Sequence, residues 1–356
     1  MEDGINRLAA ALDKSGMIDF TRFFVEDYQN GYNSVNEELL PWITELDYGW
    51  EGVLFVGMGG SGAGGDFIST LCDSEGGVPV KCSRNYGLPN WWNQNWLVVA
   101  TSYSGNTEET VATTEQAIRL GGTVVVISSG GILSGLCELS TTAHLISCPG
   151  GQPPRSAFGH LFSRQLALMN QLGILQTELS MDAIERLKQA NKDCDITQHP
   201  EGDVASLALN LLENPIAIIG PSELLPALSR FKNQLNENAA RFARIGEVPE
   251  MNHNELIAWG GVGEYQDFDA PNQGILIVTW PGMNERVIHR MDWFVANCPS
   301  ELAWKIQGEG ESLLECLLHI CIMMDWLSIA VALLSGKDPT AIDPIISLKE
   351  YLSQID

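Results

Sequence analysis

Residues 101 to 110, TSYSGNTEET, join two runs of different period, and that junction leaves few folds open. Ahead of it Trp96-Leu97-Val98-Val99-Ala100 is continuously apolar, which predicts a buried strand, and behind it Thr110 to Leu120 predicts a helix. Ser102, Ser104 and Thr107 supply hydroxyls, while Gly105 and Asn106 permit the tight backbone that brings neighbouring N–H groups together. A helix N-terminus presents unpaired N–H donors and a positive dipole end, so such a turn suits a phosphate without any lysine. Taken alone, the same residues also suit a plain serine-capped helix.

A second loop favours the phosphate. Gly57 to Asp66, GMGGSGAGGD, follows the strand-like Val53-Leu54-Phe55-Val56 and satisfies the G-x-G-x-x-G pattern at Gly57, Gly59 and Gly62. A dinucleotide site wants a carboxylate about 20 positions later, at the end of the next strand. That strand, predicted at 78–82, is followed by Ser83-Arg84-Asn85, so the carboxylate is missing, and only a 2′-phosphate facing Arg84 keeps an NADP reading open. No Gly-Lys-Ser/Thr occurs either, so the Walker lysine is absent. Two phosphate-type loops on neighbouring strands fit a compact sugar phosphate better than a nucleotide, with no cofactor.

Strands predicted at 53–56, 78–82, 96–100, 123–127 and 143–147 alternate with helices at 61–71 and 108–120, which means a parallel doubly wound α/β sheet. Ligands of such sheets sit beyond the carboxyl ends of the strands, where both loops fall. Residues 5–30 read as helix broken near Ser15-Gly16, and Ser34 with Glu37 reads as a capping box opening a short helix to Leu40. After the break Pro149 to Pro154 comes a helical run to Leu172. A second alternating set begins at Pro215, with strands at 215–219, 274–280 and 301–306 and helices at 222–242, 284–297 and 311–335. The expected plan is N-terminal helices at 1–49, a first sheet domain at 50–175, an acid-rich linker at 176–203 and a second sheet domain with C-terminal helices at 204–356. Gly220-Pro221-Ser222 replaces the glycine loop in the second half, which is therefore expected to contribute catalytic side chains.

Charge and cysteine usage narrow the partners. Twenty Lys and Arg against 45 Asp and Glu give a net charge of −25, a field that argues against nucleic acid and anionic membranes. The eight cysteines form no C-x-x-C pair, which predicts reduced thiols in a cytoplasmic protein and no zinc or other metal site. The charged N-terminus does not read as a secretory signal. Leu313 to Leu334 is apolar enough to resemble a membrane span, but Glu315, His319 and Asp325 would be costly in lipid, so it reads as a buried helix.

Four further segments carry chemistry-bearing residues: Pro154-Arg155-Ser156-Ala157, Asn236-Glu237-Asn238, Asn252-His253-Asn254-Glu255 and Leu348-Lys349-Glu350. Singly, each suits a surface arginine, a solvated glutamate, a satisfied histidine or an ordinary helix lysine. In the order GMGGSG, SYSGNTEET, PRSA, NEN, NHNE they resemble the bifunctional phosphoglucose/phosphomannose isomerases of the sugar isomerase (SIS) domain superfamily, over nearly the whole chain. SYSGNT alone marks only the superfamily, whereas PRSA with NEN and NHNE marks the isomerase branch.

The resemblance implies two SIS domains and an exchange of glucose 6-phosphate, mannose 6-phosphate or both with fructose 6-phosphate, as in glycolysis and gluconeogenesis. It implies that Gly60, Ser61, Ser102, Ser104 and Thr107 bind the substrate phosphate. It implies that Glu237 moves the proton between C1 and C2, that Arg155 lies over the enediolate, and that Lys349 assists ring opening, with Lys337 nearby. His253 is implied to help open the ring from the partner subunit of a homodimer. The chemistry agrees: one carboxylate serves as base and then acid, a guanidinium stays charged beside the enediolate, and histidine shuttles protons near neutrality. The chain departs from the family in its acidity, its ten tryptophans and the Ala239-Ala240-Arg241 that follows NEN, which leaves the choice between the two aldoses open. Rival readings are a non-catalytic sugar-phosphate sensor, which would need the loops but not Glu237, His253, Arg155 and Lys349, and another phosphosugar isomerase.

Overall fold

The structure, a computed structural model, describes residues 2–46 and 49–355. Three helices open the chain, α1 (Glu2–Leu12), α2 (Met17–Arg22) and α3 (Phe24–Asn33). The break near Ser15-Gly16 is as expected: Gly16 takes φ 78°, and the Asp13 carboxylate accepts from the Met17 and Ile18 N–H groups at 2.7 and 2.9 Å. The short helix expected from Ser34 to Leu40 is not there. The Ser34 hydroxyl instead donates back to the Gly31 carbonyl at 2.7 Å, and Asn36 accepts from the Leu39 N–H at 3.0 Å, so the segment is a turn. The would-be cap serves the helix behind it.

The first sheet takes β1 (Gly52–Val56), α4 (Gly59–Glu75), β2 (Val80–Ser83), β3 (Trp96–Thr101), α5 (Glu108–Arg119), β4 (Val124–Ser128), α6 (Gly131–Leu139), β5 (Ala143–Ser147) and then α7 (Phe158–Gln171). Its strands are all parallel, in the order β2-β1-β3-β4-β5. β1 and β4 are buried along their whole length, which is what helices on both faces require of central strands. Phe67, Phe158 and Phe162 fill the α4–α7 side, with Phe158 and Phe162 stacked at 5.3 Å. On the other side Val98, Ala100 and Val126 meet Ala117 of α5 and Leu133 of α6. Helix α6 was not expected, because Gly130, Gly131 and Gly135 make its sequence read as loop.

The second sheet follows α8 (Met181–Cys194) and α9 (Asp203–Leu211), and uses β6 (Ile216–Pro221), α10 (Leu225–Ala239), β7 (Ala243–Val248), α11 (Leu256–Gly260), β8 (Gly274–Thr279), α12 (Glu285–Asn297), β9 (Ala303–Gln307), α13 (Leu313–Leu334) and α14 (Asp343–Leu352). It is also parallel, in the order β7-β6-β8-β9. Both sheets start in the middle, step to one edge and return past the first strand, so each has a switch point between its first strand and the third. Strand β7 escapes the sequence reading because it is an edge strand, only half-buried, whose Arg244 and Glu247 break the apolar run.

The chain divides into two compact units, one of Phe23–Glu185 and the other of residues up to Arg22 together with those from Arg186 onward. This division differs from the expected plan: the N-terminal helices are shared between the units, and the second boundary falls inside α8. Helix α13 is the spine of the second unit. Its membrane-like stretch is 89% buried, and its carboxylates are paired: Glu315 receives the Nε and Nη2 of Arg186 at 2.7 and 2.9 Å, and Asp325 receives Arg230.

Candidate active site

In the unit of residues 23–185 the two loops meet at the switch point beyond β1 and β3. Helix α4 begins at Gly59, two residues earlier than the sequence suggests, so most of the glycines stand in its first turns. They are there for close approach: a Cβ on Gly62 would meet the Gly57 carbonyl oxygen at 2.4 Å, and one on Gly60 would meet the Arg155 Cα at 2.8 Å and the Pro154 oxygen at 2.9 Å. The two loops are tied directly, since the buried Ser61 hydroxyl accepts from the Tyr103 N–H at 3.0 Å. The hydroxyls of Ser102 and Thr107 lie 2.8 Å apart, and Ser104, at the exposed rim, accepts from the Asn106 N–H at 3.3 Å.

Thr107 occupies the cap position of α5 and Met58 that of α4, and neither caps its helix with a side chain. Two uncapped helix N-termini therefore open at one switch point, an arrangement that concentrates N–H donors and partial positive charge. Glu108 and Glu109 in the first turn of α5 oppose that charge. Gly105 is forced: its φ is 70°, and a Cβ there would stand 1.8 Å from the Gly130 oxygen. Asn106 accepts from the Ile132 N–H at 3.0 Å, so the unforeseen helix α6 braces the loop.

Arg155 is buried, 4% exposed, on the turn before α7. Sequence reasoning missed what holds that turn. The Gln152 N–H donates to the Tyr103 hydroxyl at 3.1 Å, and its side chain donates to Asp27 at 2.9 Å. His160 completes the set, with Nε2 3.2 Å from Asp27. Burial pushes the Asp27 carboxyl up and the His160 imidazole down. Arg84, the alternative reader of a 2′-phosphate, pairs with Asp66 and donates to the Gly62 oxygen at 3.3 Å.

In the other unit, Glu237 stands in the last turn of α10, half-buried between exposed Asn236 and buried Asn238. Below it α10 is bolted to α13. Arg230 donates to both oxygens of Asp325 at 2.5 and 2.8 Å, Gln234 donates to the same carboxylate at 2.8 Å, and Asn238 donates to Ser328 at 2.9 Å. His253 ends a single 3-10 turn, Glu250–His253, whose Met251 is buried in the core with Trp259 and Phe294. Its neighbours hold the segment: Asn252 accepts from Arg290 at 3.2 Å, Asn254 donates to Glu250 at 2.9 Å, and Glu255 pairs with Arg244, whose guanidinium lies 5.1 Å over the Trp259 ring. His253 itself is exposed. Lys349 is exposed too, on α14, a helix that buries no side chain.

The structure thus brings Gly60, Ser61, Ser102, Thr107 and Arg155 into one cluster with Ser104 at its rim, and it braces the helix of Glu237, while His253 and Lys349 lie on exposed segments. The second switch point is bridged by a side-chain bond. There the indole N–H of Trp280, just after β8, donates to Glu223, just after β6, at 2.9 Å.

Residues 201–352 match the family model described as bacterial phospho-glucose isomerase C-terminal SIS domain. The bifunctional phosphoglucose/phosphomannose isomerase of Aquifex aeolicus is 29% identical over 340 residues, 93% of this chain and 97% of that protein. The protein of the same name from Aeropyrum pernix is 32% identical over 66% of this chain and 70% of its own length. A D-glucosamine-6-phosphate 4-epimerase of Sulfolobus acidocaldarius is 34% identical over a shorter stretch, 58% of this chain and 63% of that protein. Among solved structures, the C-terminal domain of glucosamine-fructose-6-phosphate aminotransferase from Francisella tularensis superposes with a TM-score of 0.70 over 92% of this chain and 98% of that one; at 13% identity the likeness is one of fold.

Proposed function

Because the chain belongs to the bifunctional phosphoglucose/phosphomannose isomerase family, we propose that it interconverts glucose 6-phosphate, mannose 6-phosphate or both with fructose 6-phosphate through an enediolate. The observation that carries this reading is the pair of uncapped helix N-termini at one switch point, joined through Ser61 and Tyr103. Backbone donors and hydroxyls there suit a phosphomonoester. Gly60, Ser61, Ser102, Ser104 and Thr107 form the phosphate cradle, and Arg155 faces the enediolate as a permanent cation. Glu237 takes the proton from one carbon and returns it to its neighbour, so the reaction balances without a redox cofactor. His253 and Lys349 assist ring opening. The exposure of His253, on a segment held rigid by Asn252, Asn254 and Glu255, supports its delivery to a partner subunit in a homodimer. Eight unpaired cysteines suit a reducing cytoplasm, and the proposed exchange is the one used in glycolysis and gluconeogenesis.

The test is isomerisation of fructose 6-phosphate with separate detection of the two aldose phosphates. Glu237→Gln should bind fructose 6-phosphate and lose at least about 100-fold in turnover; a variant keeping a tenth of the activity would remove Glu237 as the base. Mixed Glu237→Gln and His253→Ala subunits should recover activity, and no recovery after proven subunit exchange would refute a shared site. The 34% identity to an epimerase favours a second reading, action on an aminosugar phosphate. Conversion of glucosamine 6-phosphate with fructose 6-phosphate left untouched would support it.

A further inference from the structure

We propose that Lys337 is a positioning residue for Glu237, holding the last turn of α10 against the loop that leaves α13. This rests on the reading of Glu237 as the base. Helix α13 ends at Leu334, Gly336 just beyond it turns the chain with a φ of 75°, and the Lys337 N–H then closes the turn on the Ala332 oxygen at 2.9 Å. The reversal brings the Lys337 side chain to the end of α10. Its Nζ donates to the backbone carbonyl oxygens of Glu237 at 2.8 Å and Asn238 at 3.0 Å, and lies 3.3 and 3.2 Å from those of Asp338 and Ala341.

An ammonium has three N–H donors, so these are shared among carbonyls from two segments. The Glu237 and Asn238 carbonyls belong to the last turn of α10, where helix carbonyls have no intrahelical partner and the dipole is negative. A catalytic carboxylate on that turn sits at an electrostatically poor place in a chain of net charge −25. Lys337 offsets the local field through the backbone. The loop it grips is itself closed: Asp338 accepts from the N–H and hydroxyl of Thr340 at 2.8 and 2.6 Å. The ammonium therefore fixes the base-bearing turn and the loop leading to α14 as one piece. Directed at carbonyls, it serves geometry, whereas ring opening falls to Lys349.

Lys337→Met and Lys337→Arg test this in the full-length protein with fructose 6-phosphate. Lys337→Met should lower kcat by about 30-fold while KM moves less than about 3-fold, the split expected when a group acts on the reacting state and not on binding. Lys337→Arg, which keeps charge and donors, should recover most of kcat. Unchanged kcat in folded Lys337→Met would overturn the proposal, and so would a fall in stability that Lys337→Arg shares with no recovery of kcat. Glu237→Gln separates the two ideas. An active Glu237→Gln refutes both, whereas an inactive Glu237→Gln beside a fully active Lys337→Met refutes only the role of Lys337.

Discussion

Gly60 shows how a single missing side chain lets two stretches of backbone meet. Alanine there would press its Cβ against backbone on the Arg155 turn, at 2.8 and 2.9 Å, and backbone cannot rotate away as a side chain can. Gly60→Ala should therefore cost about 1–3 kcal/mol of stability and raise KM for fructose 6-phosphate by at least about tenfold, measured by urea unfolding and steady-state kinetics. Wild-type KM in a folded Gly60→Ala protein would show that the Arg155 turn does not border the substrate. The glycine-rich loop between β1 and α4 was legible in the sequence because turn chemistry is local. Tyr103 and Gln152 were not, because their partners lie 42 and 125 positions away at Ser61 and Asp27. Spacing in the chain carries no trace of such a contact.

Among the elements, strands were the easiest to foresee, because central strands buried on both faces must be continuously apolar. Where burial is one-sided or a residue can bond either way, the sequence reading failed, as at the edge strand β7 and the turn after α3. Helix α13 was ambiguous for another reason: a core spine and a membrane span share length and composition, and only paired charges tell them apart. Its Asp325 is the test. Asp325→Ala would leave the Arg230 guanidinium, 5% exposed, without its carboxylate. The expected loss is about 3–5 kcal/mol, read as a fall in Tm, and activity should drop with it because the same pairing holds the helix of Glu237. Tm within a degree of wild type would show that the pair contributes little.

For the whole molecule, pH acts through buried and half-buried imidazoles. Burial lowers the pKa of His144, His160 and His319 below the ordinary 6.5. The unfolded chain therefore binds more protons as pH falls below about 6.5, and stability must decline there with slope set by that difference. Asp27, raised by burial, has the opposite sign, and its effect comes at lower pH, nearer the carboxylate range. Thermal unfolding at pH 7.5, 6.5 and 5.5 should show Tm falling over the last step; a rise would mean that relief of carboxylate repulsion outweighs the histidines. The repeated winding was visible as two alternating sets, but the sharing of the N-terminal helices between units was not, since nothing local in the sequence marks which core a helix joins. The bond from Trp280 to Glu223 that spans the second switch point has a reach beyond its own loop. Two windings of one topology thus present different mouths, one lined by hydroxyls and helix ends, the other bridged by a side-chain bond. Stoichiometry follows from that difference: each chain should titrate to a single sugar phosphate.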